Sequence, residues 1–98
     1  MNIQELTNQM NEFVTSQGWY DENSKRPQTL RNLAISLVLE ASEVLELFQW
    51  GDTMNNKSAL EEELADVFLY LLQIAQVANI DLEQATLKKL NKNYHRTW

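Results

Sequence analysis

The 98-residue sequence contains no cysteine, one proline and only two glycines. Without cysteine the chain can form neither a disulfide nor a thiolate metal site, which fits a reducing cytoplasm. Because few residues break helices and β-branched runs are short, we expect an all-α protein. The length suits one domain with a modest core, and no repeat or linker divides residues 1–98.

Basic residues are also few: the sequence has 8 lysines and arginines and 14 acidic residues, which gives a net charge of −6. An acidic surface does not attract nucleic acid or an anionic membrane, so we expect neither as a partner. The first residues lack the basic and apolar regions of a signal peptide. The apolar stretch 65–78 is too short to span a bilayer and reads as a buried helix. These features predict a cytoplasmic protein.

Apolar residues at helical spacing, together with capping signals, predict four helices joined by short connections, a four-helix bundle-like architecture. The first helix is expected to stop at Gly18, and the second to run to about Trp50 and stop at Gly51. The third is expected over 59–79 and the fourth over 82–94. The expected capping residues are Asn2, Thr29, Ser58 and Asp81.

Two acidic pairs at i, i+3 spacing stand on the second and third helices. Glu40 and Glu43 share one helix face, as do Glu63 and Asp66. If the two helices face each other, four carboxylates converge and repel one another unless they bind protons or a cation. Mg²⁺ is a hard ion that prefers such oxygens, so the pairs predict a magnesium site. Four solvated acids on helix surfaces are the alternative.

The acids border the expected core. The polar positions Glu63, Asp66, Tyr70 and Gln73 form a stripe beside the apolar stripe of the third helix. The predicted core stripe of the second helix is Leu33, Ala34, Leu37, Ala41, Val44, Leu45 and Phe48. The predicted core stripe of the third helix is Leu60, Leu64, Val67, Leu71, Ile74, Ala75 and Ala78.

The second helix has a further apolar face, formed by Ile35, Leu39 and Trp50 nearly opposite its core stripe. A helix that is apolar all round is usually buried, and a chain of this length cannot easily cover it on every side. A second subunit is therefore expected to cover this face. The first or fourth helix is the alternative cover.

Four segments together resemble a known family: Gly18–Trp19, Arg31–Glu40, Glu43–Trp50 and Glu63–Tyr70. They are similar to MazG-type nucleoside triphosphate pyrophosphohydrolases, and closest to the small all-α branch that includes the dCTP pyrophosphatases. The similarity covers roughly residues 15–96. It implies an oligomeric all-α enzyme, either a tetramer built from dimers or a dimer. It also implies Mg²⁺-dependent hydrolysis of (deoxy)nucleoside triphosphates to the monophosphate and pyrophosphate, for nucleotide-pool housecleaning with a dCTP-like preference and with Mn²⁺ as a substitute metal.

The resemblance also implies roles for individual residues. The metal-binding and catalytic residues it implies are Glu40, Glu43, Glu63 and Asp66. The substrate-binding residues it implies are Trp19, Arg31, Asn32, Ser36, Trp50, Tyr70, Lys89, Asn93 and Arg96. The alternative for the aromatic residues is that they are core or interface side chains. The alternative for the basic residues of the fourth helix is that they form a solvated helix end that complements the helix dipole. The sequence departs from some relatives at Gln28, which stands where they have histidine.

Two other functions compete with this one. Phosphoribosyl-ATP pyrophosphohydrolases share a helical scaffold with paired acids, but they typically have histidine where this chain has Leu71, and they lack the Phe48-Gln49-Trp50 element. A non-catalytic helical oligomer is the second alternative. The residues leave open the preferred base and sugar, and whether damaged or normal nucleotides are the substrates. They also leave open the number of metal ions and which acid is the general base.

Overall fold

The computed structural model describes all 98 residues and contains four helices and no strands, which confirms the predicted all-α class. The helices are α1 (Ile3–Ser16), α2 (Leu30–Glu46), α3 (Lys57–Val77) and α4 (Leu82–Tyr94). No single helix is long and apolar enough to cross a membrane. Only α3 and α4 taken together have the necessary length and composition, and the two helices are bent by 103° relative to each other.

Side-chain caps start all four helices. The side-chain oxygens of Asn2, Thr29 and Asp81 accept hydrogen bonds from the backbone amide three residues later, at 2.8, 3.1 and 3.0 Å. These three predicted caps are confirmed. The prediction for α3 is wrong, because Asn56 caps it in the same way at 3.0 Å. Ser58 therefore lies inside the first turn, and α3 begins two residues before the predicted start.

The helices end by different local geometries. Gly18 follows α1 with a φ of 73°, the left-handed conformation that glycine adopts without strain, as the sequence predicts. The end of α2 at Glu46 comes earlier than the predicted end near Trp50. The next residues form tight turns through i→i+3 hydrogen bonds, such as Phe48 N to Leu45 O at 2.9 Å, which shorten the regular α-helix.

The buried core lies where α3 packs against α1 and α2. Met10 and Val14 of α1 contact Leu72 of α3, which is only 1% exposed. The predicted stripes are partly wrong: Leu45 is 72% exposed, and Leu64 of α3 is also exposed. Helix α3 packs against both α1 and α2, and the residues that this packing buries near its C-terminal end are Leu72, Gln73 and Ala75.

The chain leaves much apolar surface uncovered. Its radius of gyration is 15.8 Å, against ~13 Å for a compact domain of this length. Its accessible surface is 7932 Å², whereas a folded monomer of this mass exposes ~5,800 Å². Helix α4 has no buried residue. The predicted second apolar face of α2, including Ile35 and Leu39, is exposed, so neither α1 nor α4 covers it.

The two glycines allow a matched test of the α1 stop. Gly18→Ala should destabilise the fold by about 1–2 kcal/mol and lower Tm by roughly 5–10 °C, because alanine is strained at positive φ. The added Cβ would also lie 3.1 Å from an Asp21 carboxylate oxygen. Gly51→Ala is the control, since nothing lies within 4 Å of its Cβ position and its φ is not left-handed. Thermal unfolding checks both; equal Tm values would contradict the assignment.

Candidate functional site

The α2–α3 packing brings the two acidic pairs together. Glu40, Glu43, Glu63 and Asp66 each offer a carboxylate oxygen, and these oxygens lie within 4.8 Å of one another. Glu40 and Glu63 are half-buried, and Asp66 is exposed. The convergence predicted from the two i, i+3 spacings is therefore present. We name this group the acid cluster.

The crowding changes the proton affinity of two of the four groups. Hydrogen bonding between the Glu63 and Glu43 carboxyl groups, then burial and the negative charges of its neighbours, raises the pKa of Glu63 from 4.5 to about 7. Burial, with the charges of Glu43 and Asp66, also raises the pKa of Glu40. No neighbouring cation lowers either pKa. The metal-free cluster therefore holds a proton near neutral pH.

The donor set fits a hard divalent cation. Glu63 Oε2 is buried and has no hydrogen-bond partner. A buried carboxylate oxygen without a partner is costly, and either a proton or a metal ion removes that cost. Four carboxylate oxygens in one place form a hard ligand set, which suits Mg²⁺ better than it suits softer metals.

A cleft of about 330 Å³ lies next to the acid cluster. Ser36 lines it one helical turn before Glu40, and Tyr70 lines it one turn after Asp66, so the cleft and the cluster adjoin along the same two helices. The lining residues are Trp19, Lys25, Arg26, Pro27, Gln28, Asn32, Leu33, Ile35, Ser36 and Tyr70. Aromatic, amide and cationic groups thus meet beside a metal-type site.

Local hydrogen bonds hold the loop that forms one wall of the cleft. Asn32 Nδ2 donates to Pro27 O at 2.9 Å, and Gln28 Nε2 donates to Arg26 O at 2.6 Å. The Arg26 guanidinium lies 5.4 Å from the centre of the Trp19 ring, within cation–π range. The loop therefore presents a cation and an aromatic ring to the cleft in a defined arrangement.

The predicted substrate-binding residues divide into two groups. Trp19, Asn32, Ser36 and Tyr70 line the cleft beside the acid cluster. The others do not: they are Arg31, Trp50, Lys89, Asn93 and Arg96. Their roles stay predictions.

Each of the outlying residues has its own surroundings. Arg31 borders the exposed apolar face of α2, and Trp50 is 92% exposed. Arg96 lies 4.3 Å from the Trp98 ring centre. Asn93 Oδ1 is buried without a hydrogen-bond partner, whereas Lys89 is exposed. Within one chain, none of the three residues at the basic end of α4 lines the cleft.

Six cleft residues were absent from the predicted site: Lys25, Arg26, Pro27, Gln28, Leu33 and Ile35. The sequence did show a basic pair beginning six residues after Trp19. However, a loop has no helical period, so the side chains of this pair could not be assigned to the cleft from the sequence. Only the folded loop shows that these side chains meet Tyr70.

The fold and the acid cluster define an all-helical protein with a carboxylate metal-type site. A model of the MazG nucleotide pyrophosphohydrolase domain matches residues 28–97, and the chain belongs to this family. A pyrophosphatase from Archaeoglobus fulgidus shares the fold with a TM-score of 0.81 and 36% identity, over 95% of this chain and 89% of that one.

Curated relatives agree with this membership. The chain is 38% identical to dCTP pyrophosphatase 1 of Mus musculus and 37% identical to that of Homo sapiens. Each alignment covers 87% of this chain but only 52% of the relative. The chain thus spans about half the length of the curated relatives it matches.

The raised pKa of Glu63 predicts an unusual pH dependence for the metal-free protein. Between pH 4.5 and about 7 the folded chain keeps a proton at Glu63 that the unfolded chain releases. Stability should therefore fall as pH rises through this window, and Tm of chelator-treated protein should fall with it. Glu63→Gln, which mimics the protonated carboxyl, should flatten that part of the curve. A wild-type Tm that rises over this window, with no effect of the variant, would contradict the prediction.

Proposed function

We propose that this protein hydrolyses nucleoside triphosphates to the monophosphate and pyrophosphate, with dCTP as the first substrate to test and nucleotide-pool housecleaning as its role. The observation that carries the proposal is the acid cluster adjoining a cleft lined by Trp19, Asn32 and Tyr70. The dCTP preference rests on the names of the curated relatives. The predicted cytoplasmic location stays part of the proposal.

Glu40, Glu43, Glu63 and Asp66 are proposed to hold Mg²⁺, for which Mn²⁺ can substitute. When bound, the metal would neutralise triphosphate oxygens and so favour departure of pyrophosphate. The acids themselves set the position of the α–β anhydride bond relative to the cleft. An acid that is not fully occupied by metal, with Glu43 as the first candidate, can accept the proton of the attacking water.

The cleft supplies the groups that a nucleoside needs. Trp19 and Tyr70 offer aromatic faces for a base or sugar, and Asn32 offers its amide oxygen and the N–H that does not donate to Pro27 O. Lys25 and Arg26 at the rim reduce the negative field that the acid cluster imposes on an anionic substrate.

The enzyme should release pyrophosphate, and not orthophosphate, from dCTP only when Mg²⁺ or Mn²⁺ is present. Asp66→Asn keeps the side-chain shape but removes one charge, so turnover should fall by ~100-fold or more. The metal-free variant should be no less stable than wild type, because a repulsion is removed. Pyrophosphate assays and thermal unfolding measure the two effects.

Asp52→Asn is the matched control, since Asp52 is exposed and lies outside the acid cluster. It should keep wild-type turnover. Phosphoribosyl-ATP belongs in the substrate panel, because preferential turnover of it would favour the alternative enzyme. No metal-dependent release from any nucleotide would leave the non-catalytic oligomer as the better explanation.

The uncovered apolar surface supports a homo-oligomer as the working form. The accessible surface exceeds that of a typical folded monomer by about 2,100 Å². Two chains that each bury this area would share ~4,200 Å², within the range of obligate interfaces. The exposed face of α2, the exposed Trp50 and the unburied α4 are the surfaces available for a second copy. A dimer, or a tetramer built from dimers, is proposed.

Light scattering at micromolar concentration should give a mass that is a multiple of 11.5 kDa and not the monomer mass. Val38→Lys places a charge on the exposed apolar face of α2 and should shift the mass towards the monomer. Thr15→Lys adds the same charge to an exposed position on α1 and serves as the control. A monomeric wild type would refute the oligomer.

A further inference from the structure

A buried polar side chain behind the cleft has no role in the proposed site. Gln73 of α3 is only 3% exposed, and it does not line the cleft. Its Nε2 donates to Gln28 Oε1 at 2.7 Å, across 45 positions of sequence. The other short side-chain hydrogen bonds join residues at most nine positions apart. This contact therefore ties the cleft loop to α3 over a long range.

Gln73 also acts on the other end of the loop before α2. Burial raises the pKa of Tyr20, and the side chain of Gln73 partly offsets this rise. Tyr20 also donates to Asn11 Oδ1 of α1 at 2.9 Å. Gln28 Nε2 donates to Arg26 O, and Gln28 Oε1 accepts from Gln73 Nε2. Gln73 is therefore the residue that connects the Gln28 side chain to α3.

Gln73 belongs to the same face of α3 as the acid cluster and the cleft. Asp66, Tyr70 and Gln73 succeed one another along that face, and Gln73 stands ~10.5 Å beyond Asp66 along the helix axis. A single rigid helix thus sets the distance between the acid cluster and the loop that carries Lys25 and Arg26.

We infer that Gln73 is a positioning residue that acts through Gln28 to hold the loop 25–28 against the cleft, and so sets nucleotide affinity more than turnover. This inference rests on the proposed function. It differs from a purely structural role, in which an apolar side chain of similar shape would serve equally well at a buried position.

The test compares Gln73→Met with Gln76→Met. Methionine keeps the length of glutamine and removes its hydrogen bonds, and Gln76 is an exposed glutamine of the same helix. For Gln73→Met the KM for dCTP should rise by about 3- to 10-fold with kcat within about two-fold, the loss expected for one neutral hydrogen bond. Gln76→Met should match wild type in both constants.

Hydrogen exchange of the loop amides provides a readout that needs no activity. In the nucleotide-free protein, the amides of Lys25, Arg26, Gln28 and Thr29 should exchange faster in Gln73→Met than in wild type and Gln76→Met. If wild type shows no metal-dependent turnover, the proposed function fails while the exchange result still decides the positioning role. Unchanged loop exchange would overturn the inference, and so would an unchanged KM in an active enzyme.

A second variant covers the case in which Gln73→Met does not fold. Gln28→Met removes the acceptor from a half-buried loop position and should speed exchange of the same amides. If both single variants fold, the double variant should raise KM no further than the larger single effect, because the two side chains act as one unit. Additive increases in KM would overturn the inference.

Discussion

Mutual repulsion among four carboxyl groups is the constraint on which the candidate site depends. Their oxygens lie within 4.8 Å of one another only because α2 and α3 pack together. The strain appears as raised pKa values at Glu40 and Glu63 and as a buried Glu63 oxygen without a hydrogen-bond partner. Sites that bind cations often carry such strain, because the ligand and not the fold relieves it.

Helix α3 connects the separate parts of the molecule. One part of its surface buries Leu72 against α1, another carries Glu63 and Asp66, and Tyr70 and Gln73 extend from the cleft to the loop behind it. Since a helix is stiff over this length, the acids, the cleft and the loop keep their relative positions. This arrangement suits the proposed phosphoryl transfer, which depends on positioning and charge neutralisation more than on covalent chemistry.

The family membership and the exposed surface bear on each other. A small chain of the MazG nucleotide pyrophosphohydrolase family has few buried residues and exposes apolar side chains on α2 and α4. The archaeal pyrophosphatase shares the fold over 95% of this chain and 89% of that one, so the two chains are of similar length. The proposed association between copies would cover such surface.

The sequence by itself determined the helical class, three of the four caps and the two acidic pairs, because each depends on residues a few positions apart in a regular helix. The convergence of the two pairs required the packing of α2 against α3. The sequence did not determine which faces of α2 and α3 are buried. That follows from the packing of α3 against α1 and α2 at once, which leaves Leu45 of α2 and Leu64 of α3 exposed. The wall formed by Lys25, Arg26 and Gln28 was likewise decided only by the tertiary structure. A loop has no period, and the hydrogen bond that holds it comes from Gln73, 45 residues away.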